Sequence, residues 1–297
     1  MESLLLSKKP HLKAKTIKTY ASNLQKLCKV LKYEQDITSL MHKEKCRVLL
    51  YLASLPVNRV KQACSALLLL FPDDTEIKDM IAHASVTFQQ REERQELSTA
   101  QKLAWKSWDS ILERRKQLEE ECMLLWPKLN LSCSEYMKLH DYVMCCVYTY
   151  IAPRRCVDFC LMSAKLDEEN NEMNFIVHDD DCQYFVFNQY KTSKTYGCQT
   201  ILIPNELWKV LREWLKINQS KWLFHVSMNN LNALRPDQMS RRLAQVFNQA
   251  RFGVNLLRHA YVSDQIMADV PFITELKRHA YELGHSPQET MLYKKRV

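Results

Sequence analysis

Glycine is scarce in this sequence: Gly197, Gly253 and Gly284 are the only three in 297 residues. Neither the GxGxxG loop of dinucleotide-binding proteins nor the GxxxxGK loop of P-loop enzymes can be written with glycines at these widely separated positions. The sequence therefore argues against both classes of enzyme. It also predicts long helices joined by short connections, because few positions are left for the tight turns that glycine permits.

Paired cysteine motifs and long apolar segments are missing as well. The eleven cysteines are an odd number and include no CxxC pair, which argues against a zinc site and favours a reducing, intracellular compartment. The longest strongly apolar run, residues 63–71, is far too short to cross a bilayer. We therefore expect an intracellular, soluble protein with no membrane partner.

Acidic residues are absent from one long N-terminal stretch. Residues 3–33 contain eight lysines and no acid, in a chain whose net charge is +8. Apolar residues at helical spacing over residues 17–31 predict a helix that packs by one face and carries lysines outside that stripe. Such a face suits contacts with DNA phosphates, and the alternative is a lysine face that is merely solvated. The candidate DNA-binding residues are Lys13, Lys15, Lys18, Lys26 and Lys29.

The length of the chain suits two domains. The pattern of residues 1–93 predicts a wholly helical domain. Residues 90–97 form a charged run without an apolar stripe, which marks its end. Ser98 and Gln101 form a predicted capping box, which opens a second domain over residues 98–297. The helices predicted in the first domain cover residues 17–31, 44–55, 57–70 and 76–90.

The second domain is predicted to be mainly α with a small three-stranded antiparallel sheet. Its strands are expected at residues 173–178, 182–190 and 198–203. A basic hairpin tip joins the second strand to the third. The predicted helices cover residues 100–125, 134–151, 205–217, 237–251, 254–267 and 272–283. We expect Gly284 to cap the last of these, and Ser286 and Pro287 to open a short final helix that carries Tyr293.

Several residues of this second domain are together suited to attack a phosphodiester. Arg155 and Arg258 can bind the nonbridging oxygens bidentately and stay charged at any relevant pH. Lys191, or alternatively Lys194, lies on the hairpin tip and can protonate the departing oxygen. Tyr293 supplies a nucleophile whose phosphate ester conserves bond energy for religation. A reaction of this kind requires no metal and no cofactor.

Each residue taken alone has a simpler interpretation. Arg155 could pair with Asp158 along a helix, and the hairpin lysines could simply be solvated. Tyr293 could be a packing residue, and His285 could interact with the negative end of the preceding helix. These interpretations leave the joint order unexplained: arginine, lysine hairpin, arginine and histidine on a helix, glycine and histidine, then tyrosine.

With these motifs, residues 98–297 resemble the catalytic domain of the tyrosine recombinases, the phage-integrase family. Residues 16–31 resemble the first helix of that family's N-terminal core-binding domain. The Pro-Arg-Arg and Tyr-Lys-Thr-Ser-Lys sequences look closer to recombinases of eukaryotic viruses and mobile elements than to bacterial ones. The resemblance covers nearly the whole chain and implies the two-domain tyrosine recombinase architecture.

The resemblance also implies a role for individual residues. Arg155 matches the first arginine of the family, Lys191 the hairpin lysine and Arg258 the second arginine. His285 matches the second histidine position, and Tyr293 matches the nucleophile that joins the 3′ phosphate and frees a 5′ hydroxyl. The implied partners are double-stranded DNA and further copies of the chain in a tetramer. The nucleus is the implied location if the source is a eukaryotic virus or element.

One position departs from the family pattern. The second box usually reads His-x-x-Arg, and here its first position is Asn255, which can donate a hydrogen bond but cannot act as a general base. On a helix, Asn255, Arg258 and His259 share one face. We hypothesise that His259 partly replaces the missing imidazole, and the alternative is that it merely caps or packs.

The predicted function is site-specific DNA recombination or integration through a 3′-phosphotyrosyl intermediate. One alternative is relaxation of a single duplex in the manner of a type IB topoisomerase. Another is a noncatalytic DNA-binding protein derived from a recombinase, which the departure at Asn255 keeps open.

Overall fold

A computed structural model describes residues 1–94, 97–164, 172–178, 182–266 and 273–293. The chain forms two compact units, Met1–Arg94 and Gln95–Val297. In the described part of the chain, every helix is too short or too polar to span a membrane.

The first unit is entirely helical in its described residues. Its core lies under α2, where Ile17, Ala21, Leu24 and Leu27 are buried on one face. All five candidate DNA-binding lysines lie outside that face and are exposed. The helices are α1 Glu2–Lys8, α2 Ala14–Val30, α3 Ile37–Ala53, α4 Val57–Leu70 and α5 Thr75–Glu93.

Helix α3 shows how a kink hides a boundary from sequence patterns. It begins at Ile37, where the Asp36 carboxylate accepts a hydrogen bond from the backbone N–H of Ser39 at 2.9 Å. The backbone of Glu44 leaves helical geometry (φ −131°, ψ 32°). The apolar stripe is broken at this point, and the prediction that a helix begins at residue 44 was therefore wrong.

The second unit is built around α8. Leu139, Val143, Cys146 and Val147 of this helix are fully buried. Its first half has a polar face on which Ser134 and Lys138 are exposed, and the residues from Tyr142 to Thr149 are all buried. The helices are α6 Thr99–Ala104, α7 Trp108–Met123, α8 Cys133–Tyr150, α9 Cys156–Cys160, α10 Ser193–Tyr196, α11 Asn205–Ile217, α12 Pro236–Val246, α13 Val254–Tyr261, α14 Ile273–Leu283 and α15 Pro287–Leu292. A π-helical turn, Val262–Ile266, continues α13.

Most predicted helices of the second unit are present, with two divisions that periodicity did not reveal. The helix expected over residues 100–125 is two helices, because the Ser107 hydroxyl caps α7 by accepting from the Ser110 N–H at 3.3 Å. The helix expected to reach residue 251 ends at Val246, and Asn248 follows with a positive φ of 49°. The capping box of Ser98 and Gln101 is formed as predicted.

The sheet differs from the prediction of three antiparallel strands. It has four strands in the order β1 to β4: β1 Met162–Ser163 runs parallel to β2 Asn174–His178, and β3 Gln183–Phe187 and β4 Gln199–Leu202 follow in antiparallel order. The strand that was missed has only two residues, too few to show an alternating pattern. A separate hairpin, β5 His225–Ser227 and β6 Asn230–Ala233, was also not predicted.

Candidate active site

Gly284 ends α14 and turns the chain toward α15. Its φ is +67°, the N–H of His285 donates to the carbonyl of Ala280 at 2.8 Å, and its own N–H donates to Tyr281 at 2.9 Å. This pair of bonds is the Schellman motif. A Cβ at this position would also lie 3.3 Å from Nη2 of Arg154. The turn thus requires glycine both for its backbone conformation and for the space beside it.

His285 follows this turn and lies between two arginines. Arg155, at the start of α9, brings Nη2 to 2.7 Å from His285 Nε2. Arg258, on α13, contacts both ring nitrogens through its own Nη2 and donates to the carbonyl of Leu283 at 3.0 Å. Elements far apart in the sequence therefore converge on one imidazole.

The surroundings of His285 favour its neutral form. The side chain is fully buried, and burial, followed by the charges of Arg258 and Arg155, lowers the pKa of His285 to about 2. At neutral pH this residue is an uncharged imidazole that can accept a hydrogen bond.

Tyr293 lies against the same group of side chains. It is the C-cap of α15, which the hydroxyl of Ser286 caps at its other end by accepting from Glu289 N–H. The Tyr293 ring centroid is 4.8 Å from those of His285 and His259. His259 Nδ1 lies 2.8 Å from the Tyr293 carbonyl oxygen. The tautomer with its proton on Nδ1 therefore donates a hydrogen bond to the backbone of the predicted nucleophile.

Arg258 carries hydrogen-bond donors that the protein does not use. It is fully buried, and its Nε and Nη1 have no partner in the described part of the chain. Burial lowers the pKa of Arg258 to about 10, which leaves the guanidinium charged at neutral pH. Buried donors without partners are costly, and a bound anion would satisfy them.

Two solved structures share the arrangement of this chain. XerH site-specific recombinase bound to difH substrate in a pre-cleavage complex matches with a TM-score of 0.58 at 14% identity, covering 100% of this chain and 82% of that one. XerH bound to palindromic difH substrate in a post-cleavage complex matches with a TM-score of 0.55 at 14% identity, covering 93% and 75%. The chain has the tyrosine recombinase fold. The sequence matches no family model and no curated protein.

Within the tyrosine recombinase fold, the loop of the two hairpin lysines contacts the His285 turn. Both lysines are exposed on this loop, between β3 and β4. After burial and the charges of Arg258 and Arg155, the charge of Lys191 also lowers the pKa of His285. The hydroxyl of Thr192 donates to the Gly284 carbonyl at 3.0 Å and holds this loop against the His285 turn. Thr192 was not predicted as a site residue, since no pattern distinguishes it from other loop threonines.

Asn255 is more exposed than the other predicted site residues of its helix. It is exposed in the first turn of α13, whereas Arg258 and His259 on the same helix are buried. The three do share one side of the helix as expected, but its first turn faces solvent.

Asp158 is paired with Arg154 and not with Arg155. The Arg154 Nε and an Asp158 carboxylate oxygen lie 3.0 Å apart, and both side chains are fully buried. Arg155 is directed instead at His285 and at Glu289, whose carboxylate lies 3.6 Å from its Nη2. The i,i+4 spacing of Arg154 and Asp158 is the sequence signal for this pair. Sequence reasoning had considered only Arg155 as its partner.

A metal ion needs several ligand side chains close together. Among the described residues, no group of three or more His, Cys, Asp or Glu side chains is placed to hold a metal ion.

Proposed function

We propose that this chain is a site-specific DNA recombinase that cleaves and rejoins strands through Tyr293. The proposal rests on one cluster of side chains, in which Arg155 and Arg258 contact His285, and His285 and Arg258 lie beside Tyr293. Two buried donors of Arg258 in this cluster are unpaired among the described residues. Two arginines and a neutral imidazole suit a phosphodiester, whose nonbridging oxygens gain charge in the transition state. The comparison with substrate complexes of XerH supports DNA as the partner.

The proposed reaction is a metal-independent transfer of a phosphoryl group. The Tyr293 hydroxyl gives its proton to water and its oxygen attacks phosphorus, so that a 3′-phosphotyrosyl bond forms as the bond from phosphorus to the 5′ oxygen breaks. Lys191 donates the proton that this leaving oxygen takes up. Arg155 and Arg258 bind the nonbridging oxygens, and His285 accepts a hydrogen bond in its neutral form. Rejoining is the reverse attack by a 5′ hydroxyl.

DNA affinity in this proposal comes largely from phosphate contacts. The exposed lysines of α2 form one contact surface, and because each neutralised phosphate releases counterions, binding weakens as salt increases. We further propose that strand exchange takes place in a tetramer on two duplexes, as the family resemblance implies. A type IB topoisomerase would act on one duplex as a monomer.

The test is capture of a covalent adduct. The protein is incubated with a pool of nicked suicide duplexes of randomised sequence, and protein–DNA adducts are separated under denaturing conditions. We expect an adduct with wild type and none with Tyr293→Phe. Tyr281→Phe is the matched control, because Tyr281 is exposed nearby on α14. It should form the adduct normally.

The alternatives give different results. Absence of a wild-type adduct on every duplex would favour a noncatalytic DNA-binding protein. An adduct accompanied by relaxation of plasmids without site preference, and without joining of two sites, would favour a topoisomerase.

A further inference from the structure

Arg154 is a fully buried charge near the proposed site, and the reaction as described does not use it. Its side chain has no exposed surface. The Phe187 ring centroid lies 4.0 Å from its guanidinium carbon, and that of Tyr190 lies at 5.0 Å. Arg154 is therefore enclosed by aromatic side chains, and its Nη2 has no hydrogen-bond partner among the described residues.

The hydrogen bonds of Arg154 join three separate elements. Its Nε pairs with Asp158 on α9, and its Nη1 donates at 2.9 Å both to the side-chain oxygen of Gln199 on β4 and to the carbonyl of Glu282 on α14. Gln199 in turn donates to the carbonyl of Tyr281 at 3.0 Å. Two carbonyls of the last turn of α14 are thus held by this network, and that of Tyr281 also accepts from the Gly284 N–H.

The network ends at the turn that places His285. Nη2 of Arg154 is the nearest atom to the position a Gly284 side chain would occupy. The next residue along the chain, Arg155, contacts His285 directly. One backbone segment therefore carries both the side chain that anchors α14 and the side chain that contacts the imidazole following α14.

Stability alone gives a weak account of such a network. Burying an ion pair costs desolvation free energy, and well-packed apolar residues often replace such pairs without loss of stability. A buried guanidinium with a fixed fork of donors does, however, specify geometry more tightly than apolar contacts.

We propose that Arg154 is a positioning residue, which fixes the C-terminal turn of α14 so that His285 meets Arg155 and Arg258 in a productive geometry. This inference rests on the proposed function for its effect on rate, but its effect on His285 can be measured without the reaction. A displacement of about 1 Å at a reacting centre can cost about 100-fold in rate.

The experiment compares two variants that avoid leaving a lone buried carboxylate. Arg154→Met/Asp158→Leu removes the whole ion pair, and Arg154→Lys keeps the charge but loses the fork. The control is Arg242→Met/Asp141→Leu, which removes another ion pair of the same unit. DNA affinity, the single-turnover rate of adduct formation and the urea midpoint are measured for each full-length protein. The ring-nitrogen NMR signals of His285 are recorded against pH and assigned with His285→Gln.

The proposal expects the double Arg154 variant to lose about 100-fold in rate with DNA affinity within about twofold of wild type, and Arg154→Lys to be intermediate. The His285 signals should move, and titration should shift toward the usual range of histidine as the arginines draw away. The control should keep its rate and its His285 signals.

Two results would overturn the proposal, and a third would separate it from the proposed reaction. Unchanged His285 signals in the double variant overturn it, and so does a loss of rate matched by an equal loss in the control or explained by the urea midpoint. If wild type forms no adduct while the His285 signals still move in the Arg154 variants alone, positioning by Arg154 stands and the proposed reaction fails.

Discussion

The guanidinium of Arg258 lies against the ring of Tyr293, with its central carbon 4.9 Å from the ring centroid. The ring of the proposed nucleophile thus lies against the arginine whose Nε and Nη1 have no partner in the described residues. We expect a phosphate that binds these donors to displace the ring, so that phosphate binding and the position of Tyr293 are coupled.

Removal of the Tyr293 ring should therefore open Arg258 to small anions. We expect Tyr293→Ala to bind inorganic phosphate about tenfold more tightly than wild type, the gain of roughly one charge-assisted hydrogen bond. Tyr293→Phe keeps the ring and should match wild type. Calorimetric titration measures both affinities, and Arg258→Met in the Tyr293→Ala background should abolish the gain. Equal affinities in the Ala and Phe variants would contradict the idea.

The neutral state of His285 predicts a simple pH dependence. With a folded pKa of about 2, His285 stays uncharged from pH 5 to pH 9, so its titration cannot shape the rate of adduct formation in that range. We expect the plot of single-turnover rate against pH to have the same shape in wild type and in His285→Asn over this range. A rate that falls between pH 5 and 8 in wild type but not in His285→Asn would show instead that the protonated imidazole acts as an acid.

His259 should matter through the backbone of Tyr293. Its Nδ1 lies 2.8 Å from the Tyr293 carbonyl, and loss of one such hydrogen bond is worth roughly 1 kcal/mol, or about five- to tenfold in rate. We expect His259→Ala to slow adduct formation by about that factor. Activity equal to wild type in His259→Ala would eliminate any role for this residue in place of the missing histidine at position 255.

Gly284 and Gly197 form a matched pair that separates backbone strain from crowding. Both have positive φ, +67° and +69°, but a Cβ at Gly284 would lie 3.3 Å from Arg154, whereas at Gly197 it would meet nothing within 4 Å. Gly197→Ala should lose about 1–3 kcal/mol in free energy of unfolding, because φ +69° with ψ −157° is a backbone conformation that essentially only glycine adopts. Gly284→Ala should also be destabilising, and it should slow adduct formation more than Gly197→Ala does, because its Cβ would crowd Arg154. Equal rates of adduct formation in the two variants would refute the close approach of Arg154.

Patterns local in sequence predicted most of the architecture. Helices α4 and α11 have the predicted bounds, Val57–Leu70 and Asn205–Ile217, because their apolar stripes run without interruption from one end to the other. The two-residue strand β1 could not be found in this way. It is a strand because β2 lies alongside it and pairs with it, and the sequence of its two residues does not indicate this.

The site shows the same division. The order of arginine, lysine, arginine, histidine and tyrosine identified residues that the fold gathers near one another. The sequence could not show which of the adjacent arginines, Arg154 or Arg155, is buried with Asp158. Only packing against Phe187 and the end of α14 decides it. Nor could it show that Asn255 faces solvent, because Arg258 and His259 share its side of the helix.

A buried histidine pair predicts acid sensitivity of the second unit. His140 and His225 are fully buried with ring centroids 5.4 Å apart, and the Tyr136 hydroxyl lies 3.1 Å from His225 Nε2. Burial is the main cause that lowers the pKa of His225 to about 4, and it lowers the pKa of His140 as well. Unfolding returns both to the ordinary value near 6.5.

The sign follows from proton uptake. Between about pH 6.5 and pH 4 the unfolded chain binds more protons than the folded one, so stability is fully present above pH 6.5 and is lost as pH falls. His225 alone accounts for about 3 kcal/mol of that loss. All six tryptophans lie beyond residue 104, so urea unfolding followed by tryptophan fluorescence reports on the second unit. His225→Gln should flatten the decline of its midpoint between pH 6.5 and 4. His178→Gln, which changes an exposed histidine of the same unit, should leave the decline as steep as in wild type. An equally steep decline in His225→Gln would mean that other groups control the acid sensitivity.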